Sequence, residues 1–139
     1  MRSVSQGRAA TFQMEYNVIN QPAAAAFATA RVGVISRVPL NRGFLSGRFD
    51  ESSQFADDDT RKRSLTPEKL RKFHGQLDAV KAAAAELGVS PAELAIRFCA
   101  SNANVSCVIP GVRTVAQAEQ NAAAAQPRPA GGIQKLRVQ

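Results

Sequence analysis

"VSCVIPGVRTVAQAEQN" (105–121) is the stretch on which the reading of this chain turns. Its first five residues are mostly apolar and β-branched, the composition of a buried parallel strand. Pro110-Gly111 ends that run, because proline cannot extend a strand ladder. Thr114 and Gln117 have capping-box spacing, so a helix is expected from there to about Ala125. A buried strand that empties into a helix is the unit of an α/β fold. At the junction, Gly111 leaves the backbone open to close approach, and Arg113 carries a forked donor that matches phosphate. Gln117, Gln120 and Asn121 fall three and four residues apart and share one helix face. Exposed amides at the helix start add positive potential. Two readings stand side by side: an anion site, or an ordinary junction in which Gln117 caps its own helix and Arg113 is solvated.

Working outward, "VGVIS" (32–36) is a second short β-branched run and reads as a buried parallel strand. It leads into "RVPLNRGFLSGRF" (37–49), where Pro39 bends the chain at the strand's C-terminal end. Ligands of open α/β sheets and barrels bind at that end. Arg42 and Arg48, with Gly43, Ser46 and Gly47, have the chemistry to wrap a pyrophosphate; a basic surface loop is the alternative. There is no GxGxxG and no GKS/GKT, so neither a dinucleotide fingerprint nor a Walker loop is present. From Arg37 to Leu65 periodicity is lost, as in a lid or a disordered loop.

The remaining segments complete the pattern. "ATFQMEYNVI" (10–19) alternates Phe12, Met14, Tyr16 and Val18 and is strand-like. The alanine-rich run after Pro22 is expected to be helical. Thr66 and Pro67 open a long helix whose apolar stripe runs Leu70, Phe73, Leu77, Val80, Ala84, Leu87, and Gly88 closes it. Ser90 and Glu93 form a second capping box around Pro91. The order β-α-β-loop-α-α-β-α predicts a parallel sheet alternating with helices. Three strands are too few to close a barrel or finish a doubly wound sheet, so a further part must complete it.

Composition narrows the function classes. The 139 residues suit one domain, with 45% hydrophobic and 21% charged residues. No apolar run is long enough for a membrane span, and the N-terminus lacks the apolar core of a secretory signal. Cys99 and Cys107 lie in apolar segments and read as reduced core residues of a cytoplasmic protein. A net charge of +7 with pI ≈ 10.3 calls for an anionic partner or a solvated basic surface. Basic–aromatic alternation and zinc-finger spacing are both missing, which argues against nucleic acid, and a small phosphorylated ligand fits the charge as well. "ADDDTRKR" fits neither a calcium loop nor a two-metal site and reads as a solvated loop in which Arg61 pairs across. His74, without an evident carboxylate or nucleophile partner, and Tyr16 read as structural residues.

Four motifs in order resemble the C-terminal part of an aldo-keto reductase: "FQMEYN", "GVISRVPLNRGFLSGRF", "SPAELAIRF" and "VIPGVRTVAQAEQN", over roughly residues 10–125. The resemblance implies a partial (β/α)8 TIM barrel, with the strands at 11–16, 32–36 and 105–109 as its last three. It implies NADPH, and in some relatives NADH, bound in extended form. On it, Gln13 holds the nicotinamide carboxamide, while Pro39, Leu40, Arg42 and Gly43 track the nicotinamide ribose and pyrophosphate. Ser46, Arg48 and Arg61 belong to a loop folding over the cofactor. Gly111, Arg113, Gln117, Gln120 and Asn121 form the adenosine end, with Arg113 suited to a 2′-phosphate. Arg37 stands where many members have an aromatic ring, and Gln120 where many have glutamate.

The resemblance implies that the catalytic Asp, Tyr, Lys and His of the family come from the first half of the barrel, to which none of these four motifs is expected to belong. Tyr16 and His74 sit in the wrong motifs to replace them, so no catalytic residue is assigned. Met1 just ahead of the sixth-strand motif is expected for a truncated product, a misplaced start or a split gene. Residues 1–125 are thus expected to form the cofactor-binding half of an NADP-dependent oxidoreductase domain and 126–139 a basic tail. An exposed sheet edge predicts self-association or a complementary half-barrel. A noncatalytic NADP-binding or interaction protein is the alternative reading, and a basic nucleic-acid module a more distant one.

Overall fold

The computed structural model describes residues 9–21 and 32–125. The helix expected after Pro22 and the tail 126–139 lie outside those residues. Strands β1 (Thr11–Glu15), β2 (Gly33–Arg37) and β3 (Cys107–Ile109) form a parallel sheet in the order β1-β2-β3. Helices α1 (Arg61–Ser64), α2 (Pro67–Glu86) and α3 (Pro91–Ala100) lie between β2 and β3, and α4 (Val115–Ala124) follows β3.

The two sheet faces differ. Val34 and Ser36 of β2 are buried, and Phe12, Met14 and Val108 flank them on the core side. Leu94, Ala95, Phe98 and Cys99 of α3 and Leu70, Leu77, Val80 and Ala84 of α2 fill that core. Each such leucine contributes about 1.5–3 kcal/mol relative to an exposed one. The register pairs Gln13 with Ile35, Ile35 with Cys107, and Arg37 with Ile109 on the opposite face. No layer among the described residues covers that face, and Ile109 is 42% exposed there.

This corrects two expectations. The strand expected at 105–109 is shorter and not buried: Val105 enters the core, whereas Cys107 and Ile109 are exposed. Cys107 is therefore not a core residue, although Cys99 is, and both thiols are free. The strand expected over 10–19 stops at Glu15 because Asn17 folds the chain back. Asn17 Oδ1 accepts the backbone N–H groups of Ile19 (3.2 Å) and Asn20 (2.9 Å), an Asx turn. Tyr16 stacks on Phe98 at 5.5 Å, and its hydroxyl accepts a hydrogen bond from Asn102 Nδ2 at 3.1 Å.

The helix boundaries follow their caps. Thr66 Oγ1 accepts the Lys69 N–H, and Ser90 Oγ accepts the Glu93 N–H at 3.1 Å. The Glu93 carboxylate meets Arg97 at 2.6 Å, which takes the place of the reciprocal half of a capping box. Leu87, expected in the α2 stripe, is 53% exposed. It is the C-cap residue, Gly88 follows at φ +65, and Val89 donates to Ala84 O at 3.0 Å. In that Schellman ending Val89 packs on the core instead of Leu87. The long segment after β2 is no loose loop, since Phe44, Leu45 and Leu65 are fully buried and Phe44 meets Phe73 at 5.9 Å.

Candidate functional site

Beyond the C-terminal ends of β2 and β3 lies a cavity of about 590 Å³. Segment 37–49, the α1 start and the β3–α4 junction enclose it. Pro39, Leu40, Arg42, Gly43, Ser46, Arg48, Arg61, Gly111, Arg113, Gln117, Gln120 and Asn121 all line it. Gln13 is not among the lining residues and is exposed on the uncovered sheet face. Arg37, Val38, Phe49, Thr60 and Val112 also contribute to the wall, unassigned from sequence. Five arginines thus reach one cavity, a field that favours a polyanion.

The β2 end is held in place by side chains. Ser36 Oγ donates to Tyr16 O at 3.0 Å, and the Cys99 thiol donates to the same carbonyl at 3.3 Å. Burial pushes the Cys99 thiol up to about 12. Val38, Asn41 and Arg42 have φ of 58, 45 and 57, and Gly43 follows at 91. For a β-branched residue such as Val38 this backbone is strained, and such strain gathers at functional sites. Asn17 Nδ2 secures the turn by donating to Val38 O at 3.1 Å. Ser46 Oγ closes it on Gly43 O at 2.6 Å.

Arg61 is the most constrained of the arginines. Its Nε donates to both Asp59 carboxylate oxygens at 2.9 Å, and its Nη2 also meets Oδ2. Its guanidinium lies 5.3 Å from the Phe49 ring centroid and 5.0 Å from that of Phe55. Hydrogen bonds from Arg61, with Arg113 adding its charge, hold the Asp59 carboxyl at about 2. The expected pairing of Arg61 is therefore with Asp59, while the neighbouring Asp57 pairs with Lys62. The aromatic partners carried no recognisable spacing in the sequence.

At the far wall, the junction reading and the site reading merge. Gln117 Oε1 accepts the Arg113 N–H at 2.8 Å, so Gln117 does brace its own helix start. It lines the cavity while doing so. Asn121 Nδ2 is buried with no hydrogen-bond partner among the described residues, an orphaned donor beside the cavity. A Cβ built on Gly111 would meet no atom within 4 Å, so the chain's own packing does not require glycine there. Arginines, a free amide donor and an open glycine are together a donor set that fits a phosphorylated nucleotide.

Elsewhere, His74 Nδ1 does have a carboxylate, Asp78 at 3.9 Å, but both are on α2 and outside the cavity lining. Among the described residues no group of three or more His, Cys, Asp or Glu could hold a metal ion. None of their helices is long and apolar enough to cross a membrane.

The solved structure of the aldo-keto reductase AKR11C1 from Bacillus halodurans in its holo form superposes with a TM-score of 0.69 at 20% identity, covering 98% of this chain and 44% of that one. The glycerol dehydrogenase AKR11B4 from Gluconobacter oxydans gives 0.65 at 16% identity, covering 88% and 45%. These likenesses support the partial TIM barrel. A "Probable voltage-gated potassium channel subunit beta" of Oryza sativa subsp. japonica is 36% identical over 122 residues, covering 78% of this chain and 36% of that protein. Its namesake in Arabidopsis thaliana is 39% identical over 98 residues, covering 65% and 29%. The chain therefore spans about a third of the length of these curated relatives. Residues 3–129 match the profile of the Aldo/keto reductase family, and the chain belongs to that family.

Proposed function

We propose that this chain is the cofactor-side, C-terminal part of an NADP-dependent aldo-keto reductase of the cytoplasm. The observation that carries this reading is the cavity itself, which gathers residues of two distant motifs and five arginines at the C-terminal ends of β2 and β3. The 2′-phosphate lies by Arg113, and the adenosine by the side-chain amides of Gln117, Gln120 and Asn121. The pyrophosphate and nicotinamide ribose follow Pro39 to Gly43, and Gln13 takes the carboxamide. When bound, the nicotinamide supplies the hydride exchanged with a carbonyl carbon. This chain's residues bind, orient and shield it; the catalytic tetrad belongs to the other half-barrel, which packs on the uncovered sheet face.

NADPH fluorescence titration beside an aldehyde-reduction assay tests this. Saturable binding without turnover is expected of the chain alone. Turnover would sink the assignment of the tetrad to another half, and unchanged affinity in Arg113→Ala would sink the phosphate assignment. A second reading, a noncatalytic nucleotide-binding or interaction subunit, draws support from the names of the two plant relatives. Turnover that fails to appear after addition of a complementary half-barrel would favour it.

A further inference from the structure

Asp59 brings a carboxylate up to a cavity whose wall holds Arg37, Arg42, Arg48, Arg61 and Arg113. By charge alone it opposes an anionic ligand. Its geometry acts the other way. Oδ1 accepts the Arg61 backbone N–H at 2.8 Å, and both oxygens engage one edge of the guanidinium. Phe49 and Phe55, meeting edge-on at 5.2 Å, flank the same group. The side chain is 23% exposed, and its Nη1 has no partner among the described residues. An arginine so held has already given up the rotamer freedom that a solvated one loses on binding. We propose that Asp59 is a positioning residue of the anion site, fixing the Arg61 fork between Phe49 and Phe55 with its remaining donors ready for a phosphate group. This rests on the reading of the cavity as a phosphate site.

The charge effect and the positioning effect have opposite signs, which makes the proposal testable by calorimetric titration of the full chain with inorganic pyrophosphate and with 2′,5′-ADP. Asp59→Asn keeps an Oδ1 acceptor for the Arg61 backbone N–H while removing the charge. It is expected to weaken pyrophosphate binding by about tenfold, the scale of one charge-assisted hydrogen bond. Arg61→Gln should weaken it similarly, and the double variant should be no worse than either single one. Tighter binding by Asp59→Asn, or additive losses, would overturn the proposal. A structural readout runs beside it: the Arg61 Nε–H should be protected from solvent exchange in the unliganded chain and lose that protection in Asp59→Asn. An unprotected wild-type signal also overturns it. Binding of pyrophosphate but not of 2′,5′-ADP rejects the dinucleotide reading while the Asp59 test stands; binding of neither overturns both.

Discussion

Gln117 Oε1 accepts the backbone N–H of Arg113 at 2.8 Å, four residues upstream, while Thr114 Oγ1 accepts the Gln117 N–H at 3.2 Å. The turn and the first turn of α4 are thus tied from both sides, and the Gln117 amide still lines the cavity. Gln117→Glu keeps the acceptor and adds a negative charge near a helix N-terminus, which favours the fold. The same charge opposes a phosphate. Thermal stability should hold or rise slightly, and the pyrophosphate dissociation constant should increase by about tenfold. Gln117→Ala should instead cost about 1 kcal/mol of stability through the lost hydrogen bond. Paired denaturation and titration curves separate the two roles.

Gly111 gives a complementary test. A Cβ there meets nothing within 4 Å, so Gly111→Ala should leave stability within about 0.5 kcal/mol of wild type. A ligand that lies against this backbone would meet the added methyl, and nucleotide affinity should fall. Loss of stability with intact affinity would show that the glycine serves the fold rather than the site.

The two cysteines should differ in reactivity. Cys99 is buried, donates to Tyr16 O, and is pushed up to about 12, whereas Cys107 is exposed on the uncovered sheet face. An aromatic disulfide reagent at pH 8 should therefore titrate one thiol per native chain and two after denaturation. Protection of Cys107 on adding a complementary half-barrel would mark that face as the surface covered.

Acid should release the Asp59 clasp. Its folded-state value of about 2 lies below the ordinary 3.8, so its contribution is present above about pH 4 and disappears as pH falls through 2. Asp50 shifts in the same direction through hydrogen bonds from Ser52 and Ser53. The stability difference between wild type and Asp59→Asn should be constant between pH 7 and 5, shrink below 4 and vanish near 2. Urea denaturation at each pH measures it.

The sequence made the strands, caps and most cavity residues legible because those features are local: Thr66, Ser90 and Thr114 each cap at fixed spacing. What it did not disclose depends on the third dimension. Cys107 and Ile109 read as buried because their run is apolar, but burial depends on what covers a sheet face. Phe49, Phe55 and Asp59 gather on Arg61 from separated positions with no periodicity to announce them. The Asp59–Arg61 spacing within "DDDTRKR" was the available signal, although the adjacent carboxylates disguised which of them pairs. Asn17 ends β1 early through a side-chain turn, although the apolar alternation of Tyr16 and Val18 favours a longer strand.

Val38 provides a last test, since a β-branched residue at φ 58 reverses an ordinary preference. In most positions alanine is more stable than glycine by about 0.5–1 kcal/mol, because glycine leaves the unfolded chain freer. At a left-handed position the Cβ clash costs about 1–2 kcal/mol, and only glycine escapes it. Val38→Gly should therefore be more stable than Val38→Ala by roughly 0.5–1 kcal/mol in urea denaturation. The order reversed would remove the positive φ. The strain has a holder as well: Asn17 Nδ2 donates to Val38 O, fastening the β1 turn to the cavity rim. Asn17→Ala removes that bond together with the Asx-turn bonds to Ile19 and Asn20, so the rim next to Pro39 should relax. Nucleotide affinity should fall in Asn17→Ala, and on that background Val38→Gly should lose its advantage over Val38→Ala, because the rim no longer keeps the positive φ that glycine relieves.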